Sequence, residues 1–258
     1  MKSKIRYQKC ILFIAIQILL YITFVCLDLS GKSIALSNAV KFTVIIICFC
    51  YALFAKGHNK SISSSLKLAM FFTLISDLFI LILDYYLYGV LTFIIVQLLY
   101  NYRISLNAVS SKNTEGEHSK KKSFRRVSRH FAGCFIIQLI IAGSVLICLT
   151  CLGVEAEALL IAALIYFTGL LLNTIRALAA AADKKADSGM RLFAAGLLLF
   201  LLCDINVGLF NLSSFVELEP ELYSILYNIS SILMWVFYAP SQILITLSIE
   251  KDYMRKNL

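Results

Sequence analysis

The sequence has few residues that interrupt helices and few that support histidine chemistry. Among its 258 residues are two prolines and three histidines. Transporters whose helices break in mid-membrane usually show more Gly and Pro interruption, so the scarcity of proline argues against that class. His58, His118 and His130 lie in or beside polar stretches, which argues against a membrane-embedded Ser/His triad or a His-rich zinc site. The last apolar stretch contains no lysine before Lys251, which argues against a retinal Schiff base.

Charged residues are also scarce, at 15% of the chain, whereas 60% of the residues are hydrophobic. Each membrane crossing takes about 20 apolar residues, so the length accommodates roughly eight crossings joined by short loops. We therefore predict an all-α polytopic membrane protein, with residues 1–258 forming a single transmembrane domain. The predicted spans are 9–27, 34–55, 66–83, 88–108, 131–152, 157–180, 190–210 and 227–249.

The net charge of +9 reflects the distribution of Lys and Arg between loops. Nearly all basic residues fall in the loops of one side, and this alternation requires an even number of spans. The positive-inside rule then places both termini in the cytoplasm. We interpret the basic clusters as topology signals and contacts with anionic lipid, and we expect no nucleic-acid partner.

Eight cysteines are present, most of them inside apolar spans. Cys148-x-x-Cys151 has the spacing of a redox or metal motif, but it has no second pair and no nearby histidine. We interpret the cysteines as small buried hydrophobic residues, and we expect no metal site and no cofactor.

The basic segment 107–129 is the one long loop, predicted to be cytoplasmic, and it divides the chain into two four-helix halves. Leu74-Ile75-Ser76-Asp77 in the third span resembles Leu201-Leu202-Cys203-Asp204 in the seventh. These spans are the third of their respective halves, so they run in the same direction through the membrane. The similarity suggests an internal duplication.

The segment 196–211 is apolar, yet it carries Asp204 and Asn206, and Asp77 lies in a similar context. Ionisable residues within a membrane span are costly and mark functional sites by default. Counted at 1.5 Å per residue, Asp77 lies about 16 Å and Asp204 roughly 20 Å from the inner ends of their spans. The other polar residues that this count places in the same outer layer are Lys41, Gln97, Tyr166 and Tyr238.

Two interpretations of this layer remain open. Asp77 could form a structural pair with Lys41 that fixes the packing of the helices. Alternatively, the two acids could act together, one kept protonated and the other ionised by a nearby cation such as Lys41. The second arrangement suits protonation of an acid-labile ether and activation of water, as glycosidases do at an acetal.

Several short motifs, in order, resemble the YhhN-like lysoplasmalogenase family of eight-helix membrane proteins, between about Lys41 and Ser248. They are Lys41, Ser76-Asp77, Gly89-x3-Phe93-x6-Tyr100, Tyr166, Arg176, Leu-Leu-Cys-Asp ending at Asp204, and Tyr238-Ala239-x-x-Gln242-Ile-Leu-Ile. The chain departs from the family pattern at three places. Gln97 stands where many members have histidine, Lys41 is not followed by proline, and Cys203 replaces a serine.

The resemblance implies hydrolysis of the vinyl ether bond of lysoplasmalogens, which yields a fatty aldehyde and a glycerophospho-head group. It implies that Asp77 and Asp204 are the catalytic acids, without assigning which one protonates the vinyl carbon. Lys41, Tyr166 and Tyr238 would orient the acids or hold the phosphate, with Gln97, Asn206 and Gln242 as further supporting residues.

Two other functions remain open on the sequence alone. One is a non-catalytic lipid or small-molecule binder or transporter of the same fold, which Gln97 in place of histidine favours. The other is a structural membrane protein whose acids only fix helix packing. We expect membrane lipid and a lysophospholipid as partners and the plasma membrane as the location.

Overall fold

The computed structural model describes residues 2–31, 33–57, 59–110, 120–184, 186–214 and 219–250. Within these residues the chain forms eight α-helices, and each contains a segment long and apolar enough to cross a membrane. The all-α fold and the number of spans are thus as predicted, and the protein is an integral multi-pass membrane protein. The helices are α1 (Lys2–Ser30), α2 (Ile34–Phe54), α3 (Lys60–Asp77), α4 (Tyr86–Ser110), α5 (Lys120–Cys151), α6 (Ala158–Ala182), α7 (Ser188–Phe210) and α8 (Pro220–Leu247).

Side chains with a preference for helix starts set several of these boundaries. The Ser33 side chain accepts a hydrogen bond from the Leu36 N–H, and Asn59 accepts from the N–H groups of Ser61 and Ile62. Asp187 does the same for Met190 at the start of α7. Each cap pairs a backbone donor that the first turn of a helix leaves unsatisfied.

The helices extend further than the hydrophobic pattern predicted. α4 continues to Ser110 and α5 begins at Lys120, so both ends of the predicted 107–129 loop are helical. Residues 111–119 lie outside the described part of the chain. The helices are longer than the apolar stretches because a helix, once its hydrogen bonds are established, continues into the polar residues that follow.

Six helices form a closed ring in the order α2, α3, α4, α6, α7 and α8, with α8 again contacting α2. The first helix of each half lies outside this ring: α1 packs on α2 and α8, and α5 packs on α6 and α4. Exchanging the two halves converts each of these helix contacts into another one of the set. This pseudo-two-fold arrangement supports the duplication suggested by the two Asp-containing motifs.

One glycine in each half allows close approach of the helices that carry the candidate site. A Cβ at Gly89 of α4 would come within 3 Å of the Ile80 side chain, next to α3. A Cβ at Gly196 of α7 would come equally close to Ile245 and to the Ser241 carbonyl oxygen of α8. Small residues allow such contact between membrane helices, and both glycines therefore bring the helices that carry the candidate site together.

Pro240 lies inside α8, where its ring nitrogen cannot donate to the carbonyl group of Val236. The Tyr21 hydroxyl group of α1 donates to that Val236 oxygen at 3.4 Å. A neighbouring helix thus supplies the missing donor, as expected in a membrane where no water replaces it.

The described cysteines are only partly buried, contrary to the sequence interpretation. Cys10, Cys48 and Cys203 are buried, and Cys134 is half-buried. The exposed ones are Cys26, Cys50, Cys148 and Cys151. These lie on the outer surface of the helices, where exposed apolar residues such as Ile140 and Ile147 also lie. Lipid solvates an apolar thiol as well as a protein interior does, so hydrophobicity alone does not predict burial in a membrane protein.

Candidate functional site

Asp77 is the last residue of α3 and is buried, with 3% of its surface exposed. Tyr238 of α8 donates a hydrogen bond from its hydroxyl group to Asp77 Oδ2 at 2.7 Å. The neighbouring Ser76 hydroxyl group donates to the Gly89 carbonyl oxygen at 2.6 Å and so fixes α4 against this end of α3. Asp77 is therefore held by contacts on both sides.

The backbone changes its winding directly after Asp77. Leu78–Ile82 forms a π-helical segment, in which the Leu83 N–H bonds to the Leu78 carbonyl oxygen. Asp84 then adopts a positive φ of 56° before α4 begins. Single π-helical turns inside membrane helices occur frequently at functional sites, and this one adjoins the buried carboxyl group.

Asp204 projects from α7 and has a different environment. The Tyr166 hydroxyl group of α6 is its neighbour, but the two groups form no hydrogen bond of normal geometry. Asp204 Oδ2 and Tyr166 Oη are both buried, and neither has a hydrogen-bond partner among the described residues. Buried polar atoms without a protein partner are commonly paired with water or a ligand.

One aromatic cluster joins the two acid–tyrosine pairs. The ring of Phe200 on α7 lies 6.4 Å from Tyr166 and 5.5 Å from Tyr238. Phe93 of α4 packs on the other side, 5.5 Å from Tyr166 and 5.6 Å from Phe200. The structure therefore brings Tyr166 and Tyr238 to one site, each next to its own aspartate.

Cys203 is a buried residue near both acids, and its side chain interacts electrostatically with Asp204 and Asp77. No hydrogen bond joins the two carboxyl groups within the part of the chain that the structure describes. The site thus contains two separate acids with a small, weakly polar side chain near both.

Lys41 does not pair with Asp77, and this predicted alternative is wrong. Its ammonium group instead contacts Asp28 of α1, at 2.9 Å from Oδ2 and 3.1 Å from Oδ1. Ser37 also donates to Asp28 Oδ1. The reason is that α1 continues to Ser30 and α2 begins only four residues later, which places Asp28 beside the first turns of α2.

Lys41 is nevertheless connected to the site through an aromatic ring. Its ammonium group lies 4.6 Å from the centre of the Trp235 ring, a cation–π contact. Trp235 in turn meets Tyr238 edge to face at 5.5 Å. Lys41 is therefore connected to Tyr238 only through the Trp235 ring, and it contacts neither Asp77 nor Asp204 directly.

The three amides predicted to support the site occupy different positions. Gln97 is buried, and its side-chain oxygen accepts a hydrogen bond from Asn173 at 3.1 Å, whereas Nε2 has no partner among the described residues. Gln242 donates to Ser241 at 3.3 Å, and its oxygen is likewise unpaired. Asn206 donates to the Leu202 carbonyl oxygen of its own helix and forms no hydrogen bond to either acid within the described ranges.

Several contributors to the site were not predicted. Phe200 and Trp235 look like ordinary apolar residues of a membrane span, and nothing in the sequence around them indicates that they contribute to a site. Asp28 did carry a signal, because it is an acid within three residues of the end of a long apolar helix. Within the described residues there is no cluster of three or more His, Cys, Asp or Glu side chains arranged to hold a metal.

The fold and site together define a class: an eight-helix membrane protein with a carboxyl group on each of two pseudo-equivalent helices, one buried (Asp77) and one half-buried (Asp204). The family can be stated more narrowly. The YhhN family model matches residues 36–249, and the chain belongs to that family. No curated protein and no solved structure matches the chain.

Proposed function

We propose that the protein hydrolyses the vinyl ether bond of lysoplasmalogen-type lysolipids and releases a fatty aldehyde and a glycerophospho-head group. The observation that carries this proposal is that Asp77, which is buried, and Asp204, which is half-buried, each lie next to a tyrosine, and that these tyrosines meet at one aromatic cluster. Membership of the YhhN family supports it.

The proposed reaction needs one proton donor and one group that activates water. Transfer of a proton to the vinyl carbon remote from the oxygen leaves an oxocarbenium-like cation. Water adds to the cationic carbon and loses a proton to the second carboxylate. The resulting hemiacetal then collapses to the aldehyde and the alcohol of the head group. The second carboxyl group returns its proton to the departing ether oxygen, and the first carboxylate takes the proton of the hemiacetal hydroxyl group, so both groups regain their starting states.

The two environments favour an assignment of these roles. Asp204 has an oxygen without a protein donor, next to the unpaired Tyr166 hydroxyl group, and a water molecule bound there would be activated by this carboxylate. Asp77, held in place by Tyr238, is the proposed proton donor. The oxocarbenium-like carbon would lie against the Phe200 and Phe93 rings.

The Lys41–Asp28 pair gives the proposal a place for the polar end of the substrate. It lies beside Trp235 near the end of α1, away from the acids. Because Asp28 neutralises Lys41, the pair suits a head group that carries both a phosphate and an ammonium charge. Lys41 would then contact the phosphate and Asp28 the ammonium group.

The decisive test is removal of each carboxyl group in membranes supplied with a lysoplasmalogen. Asp77→Asn and Asp204→Asn are expected to lower aldehyde release by at least about a hundredfold, the usual contribution of a general acid or base. Asp84→Asn is the matched control, because this exposed aspartate lies on the same hairpin at a positive φ that asparagine tolerates. Release that survives both site substitutions would refute the proposal.

A second function has one specific observation in its favour. Gln97 replaces the family histidine, and its side-chain oxygen is bonded to Asn173, so this position holds no titratable proton shuttle. A lipid-binding or transport protein of the same fold would need none. In that case Asp77→Asn and Asp204→Asn would change lysolipid binding, and the parent protein would release no aldehyde.

A further inference from the structure

A polar pocket lies at the end of the bundle that carries the basic residues, here called the basic end. Its volume is about 210 Å³, and it lies between the ends of α3, α4, α7 and α8. Polar residues that line it include Asn59, Ser63, Arg103, Asn107, Asp187 and Ser248. At about 30 Å³ per water molecule, it accommodates roughly seven. Asn59 is exposed, so the pocket reaches the solvent.

Arg103 forms the inner wall of this pocket and is buried, with 4% of its surface exposed. Its guanidinium group donates to Ser248 Oγ at 2.9 Å and to the Gly189 carbonyl oxygen at 3.4 Å, and it stacks on Phe193. Asp187, which lines the same pocket, supplies a negative charge near this guanidinium group. A polar pocket of this size next to such charged groups holds water.

Two further polar atoms continue from Arg103 towards Asp77. Tyr100 lies one turn from Arg103 on α4 and interacts electrostatically with both Arg103 and Asp77. Thr73 lies one turn from Asp77 on α3 and is a neighbour of Tyr100. Both side chains are fully buried, and neither Tyr100 Oη nor Thr73 Oγ1 has a hydrogen-bond partner of normal geometry among the described residues.

We propose that Thr73, Tyr100 and Arg103 hold a column of bound water that joins the pocket at the basic end to Asp77. Such water pairs the buried hydroxyl groups of Thr73 and Tyr100, which lack a protein partner of normal geometry. The proposal adds to the proposed hydrolysis a route by which Asp77, its proposed proton donor, exchanges protons with the solvent at the basic end. The existence of the column does not depend on the hydrolysis.

Hydroxyl-radical footprinting of the full-length protein in lipid nanodiscs tests the column directly, because radicals formed from bound water oxidise the side chains that touch it. Tyr100 is expected to be oxidised several times more than Phe13, a buried ring that packs on Tyr51 away from this column. Oxidation of Tyr100 no greater than that of Phe13 would overturn the proposal.

A substitution at Thr73 tests the water column separately from the proposed hydrolysis. Thr73→Val keeps the side-chain shape but removes one polar atom, so the oxidation of Tyr100 is expected to fall severalfold. Unchanged oxidation would overturn the role of Thr73. Loss of aldehyde release in Asp77→Asn tests the hydrolysis separately, because that result does not depend on where water is bound.

Discussion

The two halves of the molecule place an aspartate on equivalent helices but surround it differently. Asp77 of α3 accepts a 2.7 Å hydrogen bond from Tyr238, which belongs to the other half. Asp204 of α7 lies next to Tyr166 of its own half, without a hydrogen bond of normal geometry and with one oxygen unpaired. The arrangement of the helices is thus the same in the two halves, whereas the hydrogen bonds to the two aspartates differ.

This difference between the surroundings of the two aspartates indicates how a duplicated fold can place two acids with different chemical roles. Two identical carboxyl groups in identical surroundings would share the same protonation behaviour. A proton donor and a water-activating group need different surroundings, since one must hold a proton that the other has lost. The partner tyrosines on α8 and α6 provide that difference here.

The largest expected effect on stability comes from the ion pair between Lys41 and Asp28 in the first half. Lys41→Met leaves the partly exposed Asp28 carboxylate without its cation, which should cost about 2–3 kcal/mol, less than at a fully buried pair. Thermal unfolding in detergent should therefore begin at a clearly lower temperature. The double variant with Asp28→Asn should recover most of the loss, and a single variant as stable as the parent would contradict the assigned pairing.

Tyr238→Phe is expected to have the next largest effect, because it removes the hydrogen bond to Asp77. A buried polar group left without its partner costs about 1–3 kcal/mol, and the carboxyl group also loses its orientation. Both unfolding temperature and aldehyde release should fall. If stability and aldehyde release were both unchanged, Tyr238 would not hold Asp77.

Tyr166→Phe should separate stability from activity. Tyr166 donates no hydrogen bond of normal geometry in the described structure, so stability should fall less than in Tyr238→Phe, which loses a 2.7 Å hydrogen bond. Aldehyde release should still fall, because the hydroxyl group is placed to hold the water next to Asp204. Equal loss of stability in Tyr166→Phe and Tyr238→Phe would remove the proposed difference between the two acids.

The smallest effect is expected at Asn206, two residues beyond Asp204. Its recorded hydrogen bond is to the Leu202 carbonyl oxygen of the same helix. The Leu202 carbonyl group remains part of the helix when the Asn206 side chain is removed. Asn206→Ala should therefore leave aldehyde release within about twofold of the parent rate, and a loss as large as that of Asp204→Asn would place Asn206 in the site.

The sequence was sufficient to predict the spans and to single out the two acids, whose catalytic role stays a prediction. Runs of about 20 apolar residues identify membrane helices because lipid requires them, and an acid such as Asp204 stands out in such a run. The repeated Leu-x-x-Asp motif even indicated the relation between α3 and α7. These features depend only on residues close to one another in the chain.

The partners of the polar residues could not be predicted in the same way. Counting residues gives the depth of Lys41 in the membrane but not the direction in which it points. From depth alone, Asp77 was therefore as plausible a partner for Lys41 as Asp28. The structure shows that α1 continues for an extra turn, to Ser30, and that Lys41 pairs with Asp28. The Gln97–Asn173 bond and the π-helical segment after Asp77 likewise depend on which helices are neighbours.

The central claim is that this site protonates the vinyl carbon of a lysolipid ether, and hydrolysis in D₂O tests it most directly. The account predicts a fatty aldehyde that carries one deuterium on the carbon next to the carbonyl group. Mass spectrometry of the aldehyde, trapped as it forms, would detect that deuterium, with Asp77→Asn membranes as the blank. An aldehyde without deuterium at that carbon, or an unconsumed lysoplasmalogen, would contradict the account.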